Sequence, residues 1–259
     1  MPTTTSSSHP KSTTYQAYAT RKESIEALNT LHQRHNPNSL LISNVHPSCL
    51  DERHGVVLGI DEAGRGPVLG PMTYAAAYWS LEFDEELEGH GFKDSKQMAK
   101  EHRKSLFDKM IQVEKLGFIL RVLHASEISA NMLRNPSPYN LNSMSHDAAM
   151  ELITAALENG VKLCKVYVDT VGNPDSYRRK LESKFNGKGI EFVVEKKADD
   201  KYASCSAASI VAKVMRDELT GNWIFSEGKY YVPEVTDYGS GYPSDPKCKV
   251  WMEKNLVDP

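Results

Sequence analysis

Apolar positions come in short continuous runs from residue 56 onward, and the first is Val56-Val57-Leu58-Gly59-Ile60. A run of this length reads as a strand buried on both faces. Met72 to Trp79 predicts a second strand, pairing back on the first as a hairpin. Phe118 to Leu123, Val161 to Val168 and Ile190 to Glu195 predict three more. Between them the period lengthens to that of helices. Ser95 is a fair N-cap for a helix reaching about Glu114, with Leu106, Met110 and Val113 on its buried face. A helix from about Ser145 to Glu158 closes on Asn159-Gly160, and Pro174 opens another, striped by Tyr177, Leu181 and Phe185. Ala203 to Gly221 is a helix filled with small residues, suited to close packing on the sheet, and Asp245-Pro246 caps a last helix with Val250 and Trp251. Strands and helices alternate from Gly117, which predicts a mixed α/β sheet. Residues 1–54 read as an extension, largely disordered, with a short helix over Glu23 to His32.

Polar residues at the strand ends carry the candidate chemistry. Asp61 and Glu62 follow the first run directly, and Gly64-Arg65-Gly66-Pro67 turns the chain behind them. Successive strand residues face opposite ways, so both acids serve one site only if the backbone leaves strand geometry at Glu62. Buried carboxylates are costly unless paired, and such oxygens suit Mg²⁺ or Mn²⁺. The glycines let backbone N–H groups approach a phosphate. The spacing fits neither GxGxxG nor a P-loop, and an ordinary acidic hairpin turn is the competing reading. Asp169 ends the Val161 to Val168 strand as Asp61 ends the first.

Other motifs allow two readings each. Lys93, Lys96, Lys100, Arg103 and Lys104 form the most basic cluster, a solvated helix face or a phosphate contact. Asn140 and Asn142 stand where helix caps stand. Tyr242, held in Asp237-Tyr238-Gly239-Ser240-Gly241-Tyr242-Pro243, is either a hydrophobic plug or a ring that stacks on a sugar.

Composition narrows the class. With 259 residues, 40% hydrophobic and 25% charged, the chain reads as an ordinary globular protein. A net charge of −3 confines any basic footprint to a local patch. Cys49, Cys164, Cys205 and Cys248 lack zinc spacing and read as isolated thiols of a reducing compartment. No apolar run reaches the roughly 20 residues of a membrane helix. Met1 to Lys22 is Ser/Thr-rich and free of acids, as in organellar transit peptides, but its three basic residues favour a plain disordered tail.

GIDEAGRGPVLGPM closely resembles the signature of the type 2 ribonucleases H, in wording most like the eukaryotic catalytic subunit. FKDSK, YNLNSMSHD, VYVDTVG, KKAD, SAASIVAKV and DYGSGYPSDP continue the likeness in order. The resemblance implies a ribonuclease H-like α/β fold over residues 55–259, a mixed sheet flanked by helices with a C-terminal helical part. It implies an endonuclease that cleaves RNA in RNA-DNA hybrids and cuts 5′ of single ribonucleotides embedded in duplex DNA, leaving a 3′-hydroxyl and a 5′-phosphate. Asp61, Glu62, Asp169 and Asp199 become the metal-binding acids for two Mg²⁺ or Mn²⁺ ions, with Asp200 and Asp217 as alternatives to Asp199. Gly64, Arg65 and Gly66 become readers of the 2′-hydroxyl, Tyr242 packs the sugar, and Lys96, Asn140 and Asn142 lie near the nucleic acid. The family also implies a nuclear location, with cytoplasmic as the alternative, and two accessory subunits in a heterotrimer. The eukaryotic subunits continue beyond the GYPSDP helix, whereas these residues stop at Pro259, so the heterotrimer is an expectation carried by the family alone. Two other readings are a nuclease of the same fold acting on DNA repair intermediates or junctions, and a non-catalytic hybrid-binding or assembly subunit.

Overall fold

The structure, a computed structural model, describes residues 13–16, 39–43, 45–92, 99–170, 172–223 and 237–256. In chain order the elements are β1 (Thr13–Gln16), β2 (Ser39–Ile42), β3 (Val56–Ala63), β4 (Met72–Ser80), α1 (Asp84–Glu88), α2 (Lys100–Met110), β5 (Gly117–Leu123), α3 (Ala125–Met132), α4 (Leu141–Glu158), β6 (Leu163–Asp169), α5 (Pro174–Lys184), β7 (Glu191–Glu195), α6 (Ala198–Lys201), α7 (Ala203–Gly221) and α8 (Pro246–Asn255). They build the expected α/β architecture, one mixed sheet flanked by helices. Its strand order is β1-β2-β5-β4-β3-β6-β7. β3, β4 and β5 form an antiparallel meander, and β6 and β7 extend it in parallel from β3.

Local chemistry sets the helix starts. The Asn140 side chain accepts the Ser143 N–H at 2.9 Å, so α4 begins at Leu141, four residues earlier than expected. Asn173 and Asp245 cap α5 and α8 in the same way, each followed by proline. α2 starts at Lys100 and ends at Met110, short of Glu114, because Ile111 and Gln112 close a turn. Ser95 and the helix expected over residues 23–32 lie outside the described residues.

The sheet is buried on both sides. Val56, Leu58 and Ile60 of β3 join a core with Ala148, Leu152 and Ile153 of α4 and Leu181 of α5. Val57 joins the opposite core, with Phe107 and Met110 of α2 and Ala207, Ile210 and Val211 of α7. Leu40, Leu41 and Ile42 are buried and β2 pairs with β5, so these residues belong to the folded unit and not to an extension ending at residue 54. A flat apolar triplet with no neighbouring strand signal gave no hint of that pairing.

Gly59 sets how α7 lies. A Cβ there would sit 2.1 Å from the Cys205 nitrogen and 2.1 Å from the Ser204 carbonyl carbon, so helix backbone rests directly on strand backbone. Thr73 Oγ1, donating to the Ala212 carbonyl at 2.9 Å, ties the same helix to β4. Gly59→Ala would force α7 off the sheet. The expected cost is about 3 kcal/mol or more, an overpacking penalty at the upper end, or roughly 6–12 °C in Tm by thermal unfolding. A loss under about 2 °C would mean that the contact does not position α7.

Candidate active site

Alternation along β3 decides where the first two acids point. Val57, Gly59 and Asp61 share the face covered by α7, while Val56, Leu58, Ile60 and Glu62 share the face covered by α4. The departure from strand geometry expected at Glu62 does not occur. β3 continues to Ala63, with Asp61 opposite Ala75 and Glu62 opposite Tyr74, because β4 offers a full ladder of partners.

The second strand resolves the geometry. β6 runs parallel to β3 with Ile60 opposite Val168, so the next residues, Asp61 and Asp169, emerge side by side. Asp169 in turn lies opposite Glu195 of β7, and the chain returns through α6 to bring in Asp199. Carboxylate oxygens of Asp61, Asp169 and Asp199 all lie within 4.8 Å of one another. Asp61 and Asp199 are buried, at 4% and 3% exposure. Ala198 N–H donates to Asp169 Oδ1 at 2.9 Å and Glu62 N–H to Asp61 Oδ1 at 2.7 Å, which fixes two of these carboxylates.

Glu62 borders the cluster from the other face of β3. It shares a cleft with Arg65, Asn142, Ser145, His146 and Asp169, so Asp169 adjoins both groups. Burial, and then the charge of Asp169, push the Glu62 carboxyl up to about 7, with Arg65 opposing. Burial, and then the Glu62 charge, hold Asp61 well above the usual carboxylate range, against a hydrogen bond from Ser209. Three carboxylate oxygens in reach of one point, two of them on buried side chains, are a hard donor set, of the chemistry that Mg²⁺ or Mn²⁺ takes.

Asp200 is exposed on α6, and Asp217 lies 3.9 Å from both Lys100 and Arg103. Neither joins the cluster. Those two basic residues of α2 thus face α7, as does Lys104, which pairs with Glu218 at 2.8 Å. Lys96 lies outside the described residues.

The turn after β3 is held by contacts that the sequence did not reveal. Arg65 swings toward α4, donating to Ser145 Oγ at 2.6 Å and to Asn142 Oδ1. Asn140 is exposed, its side-chain oxygen capping α4. Gly64 takes φ +89°, and a Cβ there would lie 2.3 Å from Arg216 Nε. Buried Arg216 donates to the carbonyls of Pro71 at 3.0 Å, Leu69 at 3.4 Å and Ser240 at 3.1 Å. One guanidinium therefore fastens the glycine turn to the loop bearing Tyr242. Val68 N–H and Leu69 N–H, bonding the Gly241 carbonyl at 3.0 and 3.3 Å, complete the joint. The only sequence signal for Arg216 was its place four residues beyond Ala212, on the apolar face of a small-residue helix.

Tyr242 is 38% exposed, with Arg216 Cζ 5.4 Å from its ring, and a Cβ on Gly66 would come 3.4 Å from its Cε1. The plug of this loop is Tyr238 instead, 4% exposed and edge-on to Trp251.

Comparison with known proteins bears on this arrangement. The family profile described as Ribonuclease HII matches residues 58–258. A ribonuclease H2 subunit from Bos taurus is 49% identical over 220 residues, covering 85% of this chain and 71% of that protein. Its Homo sapiens namesake is 48% identical over 200 residues, covering 77% of this chain and 65% of that protein. Among solved structures, the ribonuclease H2 from Pyrococcus horikoshii OT3 aligns with a TM-score of 0.60 at 33% identity, over 76% of this chain and 85% of that one. The PCNA:RNase HII complex from Archaeoglobus fulgidus aligns with a TM-score of 0.62 at 29% identity, over the same shares. Among the described residues no helix is long and apolar enough to cross a membrane.

The crowded acids have a consequence for stability. Glu62 titrates from 4.5 ordinarily to about 7 in the fold, so between those values the folded chain holds protons that the unfolded chain has released. Free of divalent ions, the protein should therefore lose stability as pH rises through that window. Asp61→Asn removes one charge and should raise Tm in EDTA at pH 8 by roughly 2–4 °C, about 1 kcal/mol. A wild-type Tm that rises across the window, with no gain from the substitution, would contradict the mutual repulsion.

Proposed function

This chain belongs to the ribonuclease HII family and is a ribonuclease H; from that premise we propose that it cuts RNA in RNA-DNA hybrids and duplex DNA carrying single ribonucleotides. The cut falls 5′ of the ribonucleotide and leaves a 3′-hydroxyl and a 5′-phosphate. The observation that carries this reading is the meeting of Asp61, Asp169 and Asp199 oxygens within 4.8 Å at the ends of adjacent strands.

Asp61, Asp169 and Asp199 would hold one divalent ion, and Glu62, which shares its cleft with Asp169, would help to hold a second. Four carboxylates carry a formal charge that two Mg²⁺ or Mn²⁺ ions balance. Bound there, such ions supply Lewis acidity at the scissile phosphate, activating the water and neutralising the leaving oxygen. The chain's own residues do the rest. The Asp61 and Asp169 carboxylates, each held by a backbone N–H, need little reorganisation as charge develops.

Selectivity needs a reader of the 2′-hydroxyl, the group that separates RNA from DNA at one nucleotide. The backbone of Gly64, Arg65 and Gly66 takes that role in this reading, because the Arg65 side chain is engaged on α4 and Pro67 has no N–H to give. The exposed ring of Tyr242 packs on the sugar beside it, and Lys96 and Asn140 meet the substrate backbone. Arg216 keeps the turn and the ring at a fixed separation. The relatives' name, which describes one subunit of an enzyme, supports association with accessory chains, and ribonucleotide removal from nuclear DNA is the corresponding task.

The purified chain, given an end-labelled duplex with one ribonucleotide, should cut it in Mg²⁺ and not in EDTA, and should leave an all-DNA duplex intact. Asp61→Asn should lower the rate about 10³-fold or more, a loss of several kcal/mol of charge stabilisation. Cutting at the wild-type rate by the folded variant, or cutting that persists in EDTA, would overturn the proposal.

A further inference from the structure

Among the described residues Lys197 is the one non-glycine with a left-handed backbone, at φ 59° and ψ 41°. That region is costly for any residue with a Cβ, and residues held in it gather at functional sites. Lys197 sits between the attachment points of two of the clustered acids. β7 ends at Glu195, opposite Asp169, and the Glu195 carbonyl accepts the Thr170 N–H at 3.0 Å. Lys196 and Lys197 follow. Ala198 then donates its N–H to Asp169 Oδ1 at 2.9 Å, and Asp199 brings its carboxylate into the cluster. The chain thus leaves Asp169 at a strand end and returns to the same side chain within three residues. An extended or right-handed residue at 197 would carry the Ala198 N–H away from it. The Lys197 side chain is exposed, so what the position supplies is a backbone conformation.

We infer that Lys197 is a positioning residue for the acid cluster: its left-handed backbone aims the Ala198 N–H at Asp169 and sets Asp199 beside it. Cation affinity then depends on how well residue 197 tolerates that conformation. The inference rests on the proposed binding of a divalent ion by the cluster, and its test separates the two.

Wild type, Lys197→Gly, Lys197→Ala and Lys197→Val are titrated with Mn²⁺, following the rise in Tm, and Tm is also measured in EDTA. The Mn²⁺ midpoints of wild type and of the Gly and Ala variants should agree within about twofold, since glycine relieves the strain and alanine keeps it. The Val midpoint should rise about tenfold, because β-branched side chains tolerate this backbone worst. If the Val variant does not fold, Lys197→Thr carries the same comparison. A Val variant with a lowered Tm in EDTA and an unmoved Mn²⁺ midpoint would reveal a merely structural turn and overturn the inference. An Ala variant as weak as Val would also overturn it, assigning the effect to the ammonium group. A wild-type Tm indifferent to Mn²⁺ would overturn the cation site itself.

Discussion

The parallel register of β3 on β6 is the constraint from which the site follows. With Ile60 opposite Val168, the next residue of each strand is a carboxylate, and the two bring oxygens within 4.8 Å of each other. A shift of one residue in either strand would send one of the acids to the opposite face. The register is secured from below: Val56, Leu58 and Ile60 share one core with Val166 and Val168, so apolar packing places the charges that it cannot itself hold. α7 closes the arrangement at Gly59, where its backbone rests on the strand and brings Ser209 toward Asp61.

Burying like charges works against the fold. The same crowding that raises Asp61 and Glu62 above the ordinary carboxylate range makes the cluster a strong attractor for a cation. Stability surrendered at the strand ends is the expected companion of a preorganised site. Arg216 is the opposite case, a buried cation satisfied by three carbonyls and fixing two loops that share no secondary structure.

Much of this was legible in the sequence, and for physical reasons. Val56 to Ile60 announces a strand buried on both faces, and Pro174 and Asp245 announce helix starts, because these signals are local. The pairing of Leu40 to Ile42 with β5 is a long-range event and left no local trace. The bend expected at Glu62 failed for a similar reason: β4 supplies hydrogen-bond partners as far as Thr73, and the ladder outweighs the pull of the acids toward one side. Asp199 and Asp200 cannot be told apart by composition. Just beyond the turn at Lys197, Asp199 faces inward and Asp200 faces water. Arg216 was given no role because a charged residue on an apolar helix face reads as an exception until its carbonyl partners, far away in the chain, are in view.

The proposed chemistry requires three carboxylates from separate parts of the chain to share one divalent ion. Anomalous diffraction at the manganese edge, from crystals of the chain grown with Mn²⁺, tests this most directly. The expected result is a peak within bonding distance of Asp61, Asp169 and Asp199 together. A peak that leaves out Asp61 or Asp199, or Mn²⁺ bound only elsewhere on the surface, would contradict it.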